Sequence, residues 1–477
     1  MKKFRLFIEN FLVYGIGSII SKIIPLIMVP IITRIMPNTD YFGLSDMSNT
    51  LVQFGSAVAV MGMYDAMYRM FFENDEDIFK KRVCSTALTF TLITSVLVFI
   101  VMCLLKNPIA KVFFDNERYA YVVYLSAIAT LVGATNSIVS APTRMQNNRK
   151  LYLIMNTVSP LLSYGISIPL LLAGHYIIAL PLAAIISGIT IEISYAIFNH
   201  SWFRIRLFDK ELLKTLLKLA LPLLPNFLIY WVFNSCDRIM ITNMLGIGAA
   251  GVYSAGSKLG HASQLIYIAF AGGWQYFAFY TMKDRNQVET NSKIYEYLGL
   301  ISFCATSIIC VLSLPMFRLL FTSQYYEGYI VAPYLFMAPL LQMLYQTGNN
   351  QFLVIKKTWP GMFILSAGAI TNVFFNYLLI PVLKNEGAAI ATLLGYVVTC
   401  AVDIVVLIKC GLMKPSKKFL IAVIGMVLYL IAWRVFFNAN WIIGTFACIT
   451  ICVFYLFLYR EDISRFTSMI KNRKEVL

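Results

Sequence analysis

Two lysines lie deep inside long apolar stretches of this chain, where a charged side chain is costly and usually marks a functional site. Lys22 lies about eleven residues into one stretch and Lys258 about nine residues into another, roughly 17 and 13 Å along a helix. Neither has an acid three or four residues away in its own stretch, whereas Ser18 and His261 share their helix faces. Facing a water-filled cleft, the two ammonium groups would suit an anionic ligand such as a diphosphate. The alternative is that each lysine snorkels to the membrane surface or pairs with an acid on another helix.

Further charged residues lie nearer the ends of the apolar stretches. Arg69 follows Asp65 by one helical turn, so it either forms an interfacial ion pair with that acid or contacts a substrate. Asp237 and Arg238 are adjacent near the end of another stretch. They have either a gating or cavity role or a purely structural pairing.

Two carboxylates are candidates to carry a coupling ion, H⁺ or Na⁺. Glu192 and Asp403 are 211 residues apart, close to the offset of an internal repeat described below. Packed and paired carboxylates are the alternative. His261 could titrate near neutral pH, although a lone histidine in a helix more often makes a hydrogen bond in the packing.

The motifs of nucleotide-hydrolysing and zinc enzymes are absent from the sequence. It contains no phosphate-binding loop of the form GxxxxGKS or GxxxxGKT, and it contains no HExxH zinc motif. Its nine cysteines form no CxxC pair and lie almost wholly in apolar stretches, as expected of small apolar residues. We therefore expect no enzyme activity, no resident cofactor and no metal site.

The elements that carry these residues are too apolar for a soluble protein. Of the 477 residues, 59% are hydrophobic and 13% are charged, and the mean hydropathy is +0.73, whereas a soluble domain carries about 25% charged residues. A spanning helix needs about 20 mostly apolar residues. The first apolar stretch is too long for the core of a signal peptide, so it predicts a spanning helix. The sequence predicts an all-α integral membrane protein with fourteen spans at 11–35, 42–70, 83–105, 119–141, 151–173, 176–198, 215–244, 249–281, 295–320, 329–352, 361–383, 387–409, 418–437 and 441–459.

Basic residues fix the orientation of these spans. With the N-terminus in the cytoplasm, 28 of the 39 lysines and arginines fall on the inner side, seven on the outer side and four within or near the helices. Cytoplasmic loops of membrane proteins carry such an excess. We predict a multi-pass protein of the inner or plasma membrane with both termini in the cytoplasm. The net charge of +16 then needs no nucleic-acid partner.

Short motifs recur about 210 residues apart, which indicates a duplicated block of six helices. An even number of spans gives both copies the same orientation, so the repeats are parallel. We predict an N-lobe at 1–205 and a C-lobe at 206–412 around a central cleft that opens to alternate sides, followed by two extra helices and a tail at 413–477. The matched motifs are Gly43-Leu44 with Gly251-Val252, Phe71-Phe72 with Phe279-Tyr280, and Ile168-Pro169 with Ile380-Pro381.

Several of these motifs, in order along residues 5–412, resemble the bacterial oligosaccharide flippases. That family is the polysaccharide transporter branch of the multidrug/oligosaccharidyl-lipid/polysaccharide (MOP) superfamily. The resemblance implies translocation of a polyprenyl-diphosphate-linked oligosaccharide to the outer leaflet for polysaccharide biosynthesis, with membrane lipids and polysaccharide polymerase machinery as further partners. It also supports Lys22 and Lys258 as cavity cations. The motifs are Gly17-Ser18 through Pro25, Tyr41-Phe42-Gly43-Leu44, Leu221 to Pro225, Asp237-Arg238-Ile239, Gly251 to Ser254 through Lys258-Leu259, Asn372, Asn376-Tyr377 and Gly387 to Thr392.

Two other functions compete with this one. A multidrug antiporter of the same superfamily would extrude cations, and its site would need unpaired carboxylates rather than lysines. A membrane-bound polymerase or ligase would need a sizeable outer loop with catalytic Arg or His, whereas the longest predicted outer loop spans about residues 106–118.

Overall fold

The described chain consists of helices joined by short turns. The computed structural model describes residues 21–280, 286–355, 357, 359–462 and 464. The first helix, α1, is described over 21–35. The others are α2 (Thr39–Val60), α3 (Met63–Phe71), α4 (Asp77–Leu104), α5 (Lys106–Phe114), α6 (Ala120–Met145), α7 (Arg149–Leu172), α8 (Ala179–Phe198), α9 (Lys210–Ala220), α10 (Leu224–Leu245), α11 (Ile247–Gly260), α12 (Gln264–Tyr280), α13 (Gln287–Leu320), α14 (Gly328–Val354), α15 (Trp359–Lys409), α16 (Lys417–Ala432) and α17 (Trp441–Leu458).

Side-chain caps fix where several helices begin. Asn38 accepts a hydrogen bond from the Asp40 backbone N–H at 3.1 Å and starts α2. Asp209 and Asn440 each accept from two backbone N–H groups at the starts of α9 and α17. Such caps satisfy donors that the first turn of a helix leaves open, and in lipid those donors have no water to bond instead.

Ten described helical segments are long and apolar enough to cross a membrane. The prediction of fourteen spans is not tested by this number. α15 counts as one segment, although Lys384 has a non-helical φ of 52° within it and divides it into two helices. The predicted first span is described only from residue 21. A multi-pass membrane protein is nevertheless clear from length and hydropathy alone.

Two predicted helices are interrupted, so their single-helix prediction was wrong. The stretch 42–70 breaks between α2 and α3, where Met61 and Gly62 adopt φ of 50° and 75°. Gly62 also lies so close to α9 that a Cβ atom there would come within 2.7 Å of the Ala220 carbonyl oxygen. The stretch 249–281 contains a tight 3₁₀ turn at His261–Ser263. Both breaks come from packing, which an apolar run does not reveal.

The chain divides into two compact units. The first comprises Met1–Lys258 with Gly368–Gly395, and the second comprises Leu259–Ala367 with Tyr396–Leu477. These units do not follow the predicted boundary at residue 205, because α9, α10 and most of α11 belong to the first. The two six-helix lobes stay a prediction.

In the first unit, α2 and α11 approach backbone to backbone. A Cβ atom on Gly43 would come within 2.2 Å of the Ile247 carbonyl oxygen, and one on Gly251 within 2.1 Å of the Thr39 carbonyl oxygen. Only glycine permits this distance. The contact brings the first turns of two helices together, so residues one or two turns further along them can form a shared polar cluster.

In the second unit, α13 packs along α14 and α17. The buried Glu296 carboxylate accepts from the Ser416 backbone N–H at 2.6 Å, the Ser416 hydroxyl at 2.7 Å and the Tyr459 phenol at 2.8 Å. This satisfied carboxylate ties the chain before α16 and the end of α17 to α13.

Candidate functional site

A cavity of about 890 Å³ lies within the first unit. Its walls come from α1, α2, α3, α6, α7, α8 and α11. Of its 30 lining residues, 18 carry a polar side chain: eight serines, three asparagines, four tyrosines and three charged residues. Ligand sites are usually mostly apolar with few polar groups. Such a lining offers many hydrogen-bonding groups to whatever occupies the cavity.

The serine-rich wall is tolerated inside apolar helices because the hydroxyls have local partners. Ser45 donates to the Tyr41 carbonyl oxygen at 3.1 Å, and Ser137 donates to the Ala134 carbonyl oxygen at 2.7 Å. Each hydroxyl oxygen keeps lone pairs for a ligand. The Asn136 side-chain oxygen is buried and has no hydrogen-bond partner in the described structure, so a ligand donor would satisfy it.

Three charged residues face this cavity: Asp46, Arg144 and Lys258. Arg144, in the last turn of α6, donates to the Tyr64 phenol oxygen at 3.0 Å, and its guanidinium lies 5.7 Å from the centre of the Tyr152 ring. Two phenols thus hold an exposed guanidinium against the cavity wall. This geometry suits recognition of a phosphate or carboxylate.

Asp46 anchors a buried ionic cluster that joins α2, α10 and α11. Its carboxylate lies 2.8 Å from Arg238 Nε and 3.3 Å from Lys258 Nζ, and it accepts from the Ser254 hydroxyl at 2.6 Å. Arg238 also donates to the Ser257 hydroxyl at 2.9 Å. A buried charge is tolerated when it is paired and hydrogen-bonded, and here one carboxylate is shared by two cations.

The expectation that Lys258 is an unpaired cation was wrong. Asp46 pairs with it from α2, a partner outside its own helix. The Lys258 side chain nevertheless keeps 37% of its surface exposed, against 12% for Arg238 and 5% for Asp46. Lys258 is therefore the member of the cluster that can contact a ligand while the ion pair between Asp46 and Arg238 stays intact.

Asp237 lies in a second polar network beside this cluster. The Tyr253 phenol donates a hydrogen bond to its carboxylate. The Asn372 side-chain oxygen accepts two hydrogen bonds. One comes from the neighbouring Cys236 thiol at 3.5 Å and the other from the Asn376 amide at 3.2 Å. The Asn376 oxygen is buried and has no hydrogen-bond partner in the described structure. These residues come from α10, α11 and the part of α15 that belongs to the first unit.

The other predicted site residues do not join the described cavity wall. Lys22 is exposed on α1, next to the lining residue Ser21, and Ser18 lies outside the described residues. Arg69 is exposed at the end of α3 and takes part in none of the described ion pairs. Glu192 is half-buried on α8 beside Thr135, His261 is half-buried in the 3₁₀ turn, and Asp403 is buried in the second unit.

Sequence reasoning missed Asp46 and Arg144. Asp46 was overlooked because acids were sought only within the helix of each lysine, whereas its partners lie about 200 residues further along the chain. The repeat contained a signal, since the Ser254 hydroxyl that bonds Asp46 is 208 residues away, the same offset as the Gly43 and Gly251 motifs. Arg144 was counted only as an inner-side cation that sets orientation.

Comparisons with known proteins agree on the fold. Residues 31–330 match the sequence model of the family named "Polysaccharide biosynthesis protein". A structure of the lipid II flippase MurJ in an inward closed conformation is similar, with a TM-score of 0.69 at 14% identity over 95% of this chain and 100% of that chain. A multidrug transporter of the MATE family, DinF-BH, gives a TM-score of 0.62 at 14% identity over 85% of this chain and 95% of that one. No curated protein sequence matches the chain.

A second MATE transporter, described as a member of the MOP superfamily in an inward-facing conformation, gives a TM-score of 0.60 at 14% identity over 87% of this chain and 99% of that chain. At this identity the likeness concerns the fold alone. The family match covers well over half of the chain and does not depend on that likeness. The chain is a membrane protein with the fold of MOP-superfamily transporters, and it belongs to the polysaccharide biosynthesis protein family.

Proposed function

We propose that this protein flips a polyprenyl-diphosphate-linked oligosaccharide from the cytoplasmic to the outer leaflet by alternating access. The observation that carries the proposal is the lining of the cavity, which combines hydroxyls, amides and phenols with two cations and one carboxylate that is already paired. Sugar hydroxyls would bond to the first set of groups. Arg144 and Lys258 would each offer the diphosphate charge-assisted hydrogen bonds, which are stronger than neutral ones, at two different depths of the cavity.

A multidrug antiporter is less well supported by the same lining. A cationic drug would need a carboxylate able to receive it, and Asp46 is the only carboxylate among the lining residues. It already lies against Arg238 and Lys258. A second cation would therefore meet repulsion from two neighbouring positive charges.

The ionic cluster also suggests a gate. In the predicted orientation, Asp46 lies about two turns from the outer end of α2, close to the Gly43 contact with α11. Arg238 and Lys258 would then hold α10 and α11 against α2 and close the outer side while the cavity faces the cytoplasm. A diphosphate that binds Lys258 would loosen one of the two ion pairs and favour opening, since a ligand shifts a conformational equilibrium only through unequal affinity for the two states. The gating role predicted for Asp237 and Arg238 stays part of this proposal.

Selective stabilisation by ligands tests the proposed substrate class. Polyprenyl diphosphate carrying an oligosaccharide should raise the thermal unfolding midpoint of the purified protein, because a ligand that binds only the folded state stabilises it. The matched polyprenyl alcohol, which lacks the diphosphate and the sugars, should give a much smaller rise. A large lipophilic cation should give none. Stabilisation by the cation but not by the diphosphate would favour the multidrug alternative.

A further inference from the structure

The second unit contains a carboxylate that its surroundings leave unsatisfied. Asp403 lies on α15 with no exposed surface, and neither of its oxygens has a hydrogen-bond partner in the described structure. None of the described ion pairs includes it. Asp46 and Asp237, the other two buried aspartates, both have partners. Asp403 is therefore the exception among the buried aspartates of the described chain.

The neighbours of Asp403 supply neither a cation nor a bound donor. A Cβ atom on Gly348 of α14 would come within 1.9 Å of its Oδ2, so the carboxylate fills the space that this glycine leaves. The titratable groups facing it in the described structure are Tyr295 of α13 and Cys400 of its own helix. The Cys400 thiol donates instead to the Leu341 carbonyl oxygen at 3.3 Å. The buried Tyr295 phenol has no hydrogen-bond partner in the described structure.

An ionised carboxylate in this position would be buried without compensation, which is among the costliest arrangements in a protein. A bound proton removes the charge and with it most of this cost. A multivalent metal would need more ligands, and the described residues contain no group of three His, Cys, Asp or Glu side chains placed for one. The arrangement thus fits a proton better than a metal ion.

We propose that Asp403 is a proton-binding site of the second unit, which holds its proton while α14 covers it and exchanges it when α14 and α15 separate. Asp403 lies six residues before the end of α15 at Lys409, about 9 Å along the helix, so a small separation would admit water. A role of this proton in driving transport rests on the proposed flippase function. Proton binding by Asp403 does not depend on that function and can be measured on the purified protein.

Carbodiimide labelling tests the site directly. Dicyclohexylcarbodiimide reacts with protonated carboxyl groups in apolar surroundings and forms a stable N-acylurea that mass spectrometry locates. We expect label at Asp403, more at about pH 6 than at about pH 9, and none in Asp403→Asn. Asp46 serves as the internal control and should stay unlabelled, because Arg238, Lys258 and the Ser254 hydroxyl stabilise its ionised form. Equal labelling of Asp46 and Asp403, or protection of Asp403 by Na⁺ at constant pH, would overturn the proposal.

A stability comparison covers the case in which the reagent does not reach the site. Asp403→Asn keeps the size of the side chain and removes its titration. Because the folded wild type retains a proton that the unfolded chain has released, wild type should lose stability relative to this variant as pH rises, by up to tenfold in the unfolding equilibrium per pH unit. Asp46→Asn should show no such widening with pH, because Arg238 and Lys258 stabilise the ionised Asp46 carboxylate. A gap between wild type and Asp403→Asn that is the same at about pH 6 and about pH 9 would refute the bound proton, whether or not the protein flips a lipid.

Discussion

Lys258→Ala should lower flipping of the lipid-linked oligosaccharide about ten- to a hundredfold in reconstituted vesicles. A hydrogen bond to a charged group contributes about 1.5–3 kcal/mol, and each 1.4 kcal/mol is about tenfold in affinity. The fold should survive this change, because Asp46 keeps Arg238 at 2.8 Å and the Ser254 hydroxyl at 2.6 Å. The thermal unfolding midpoint should therefore change little while transport is lost.

Two control variants separate charge from general damage. Lys258→Arg keeps the cation and should retain more activity than Lys258→Ala. Lys214→Ala removes a lysine whose described partner is the surface carboxylate of Glu211, and it should flip at the wild-type rate. If Lys258→Ala flips as fast as Lys214→Ala at equal expression, Lys258 does not bind the substrate.

Asp46→Ala should have the largest effect on stability, of about 3–5 kcal/mol, because it leaves two cations in a buried cluster without their shared carboxylate. Among the described carboxylates, Arg238 would retain only that of Asp237, which is 3.8 Å away. Denaturant or thermal unfolding of the purified protein measures the loss. Asp75→Ala is the comparison: its carboxylate forms a surface pair with Lys80, and such pairs contribute little.

A double variant shows whether pairing explains the loss. Asp46→Asn with Arg238→Gln removes one negative and one positive charge together, so it should be more stable than the sum of the two single effects predicts. Interaction energies between residues in one ionic network are about 0.5–3 kcal/mol. Strict additivity would mean that the two side chains do not stabilise each other.

The sequence was a good guide wherever local physics decides the structure. The lengths of the apolar stretches predicted most helix ends to within a few residues. The span predicted at 329–352 is observed as the helix Gly328–Val354, and the span predicted at 441–459 is observed as the helix Trp441–Leu458. Hydropathy and length are properties of a single segment. The breaks near Met61 and at His261–Ser263 depend on what packs against the segment, and the sequence carried no comparable signal for them.

The site was harder to predict than the fold because its contacts are long-range. Lys258 was identified from its depth alone, yet its partner Asp46 is a residue that no spacing rule within one helix could connect to it. Arg144 illustrates the opposite difficulty. A cation at a helix end satisfies the orientation rule, so the rule explained the residue before its cavity contacts with Tyr64 and Tyr152 were known.

Reconstituted flipping measures the central claim most directly. Wild-type protein in liposomes should expose a fluorescent polyprenyl-diphosphate oligosaccharide, loaded on the inner leaflet, to a membrane-impermeant reagent added outside. Protein-free liposomes and liposomes with the Lys258→Ala variant should leave most of it protected. The same vesicles should not move a fluorescent lipophilic cation. Movement of the cation, with the lipid-linked oligosaccharide left at the level of protein-free liposomes, would contradict the flippase and establish a drug transporter instead.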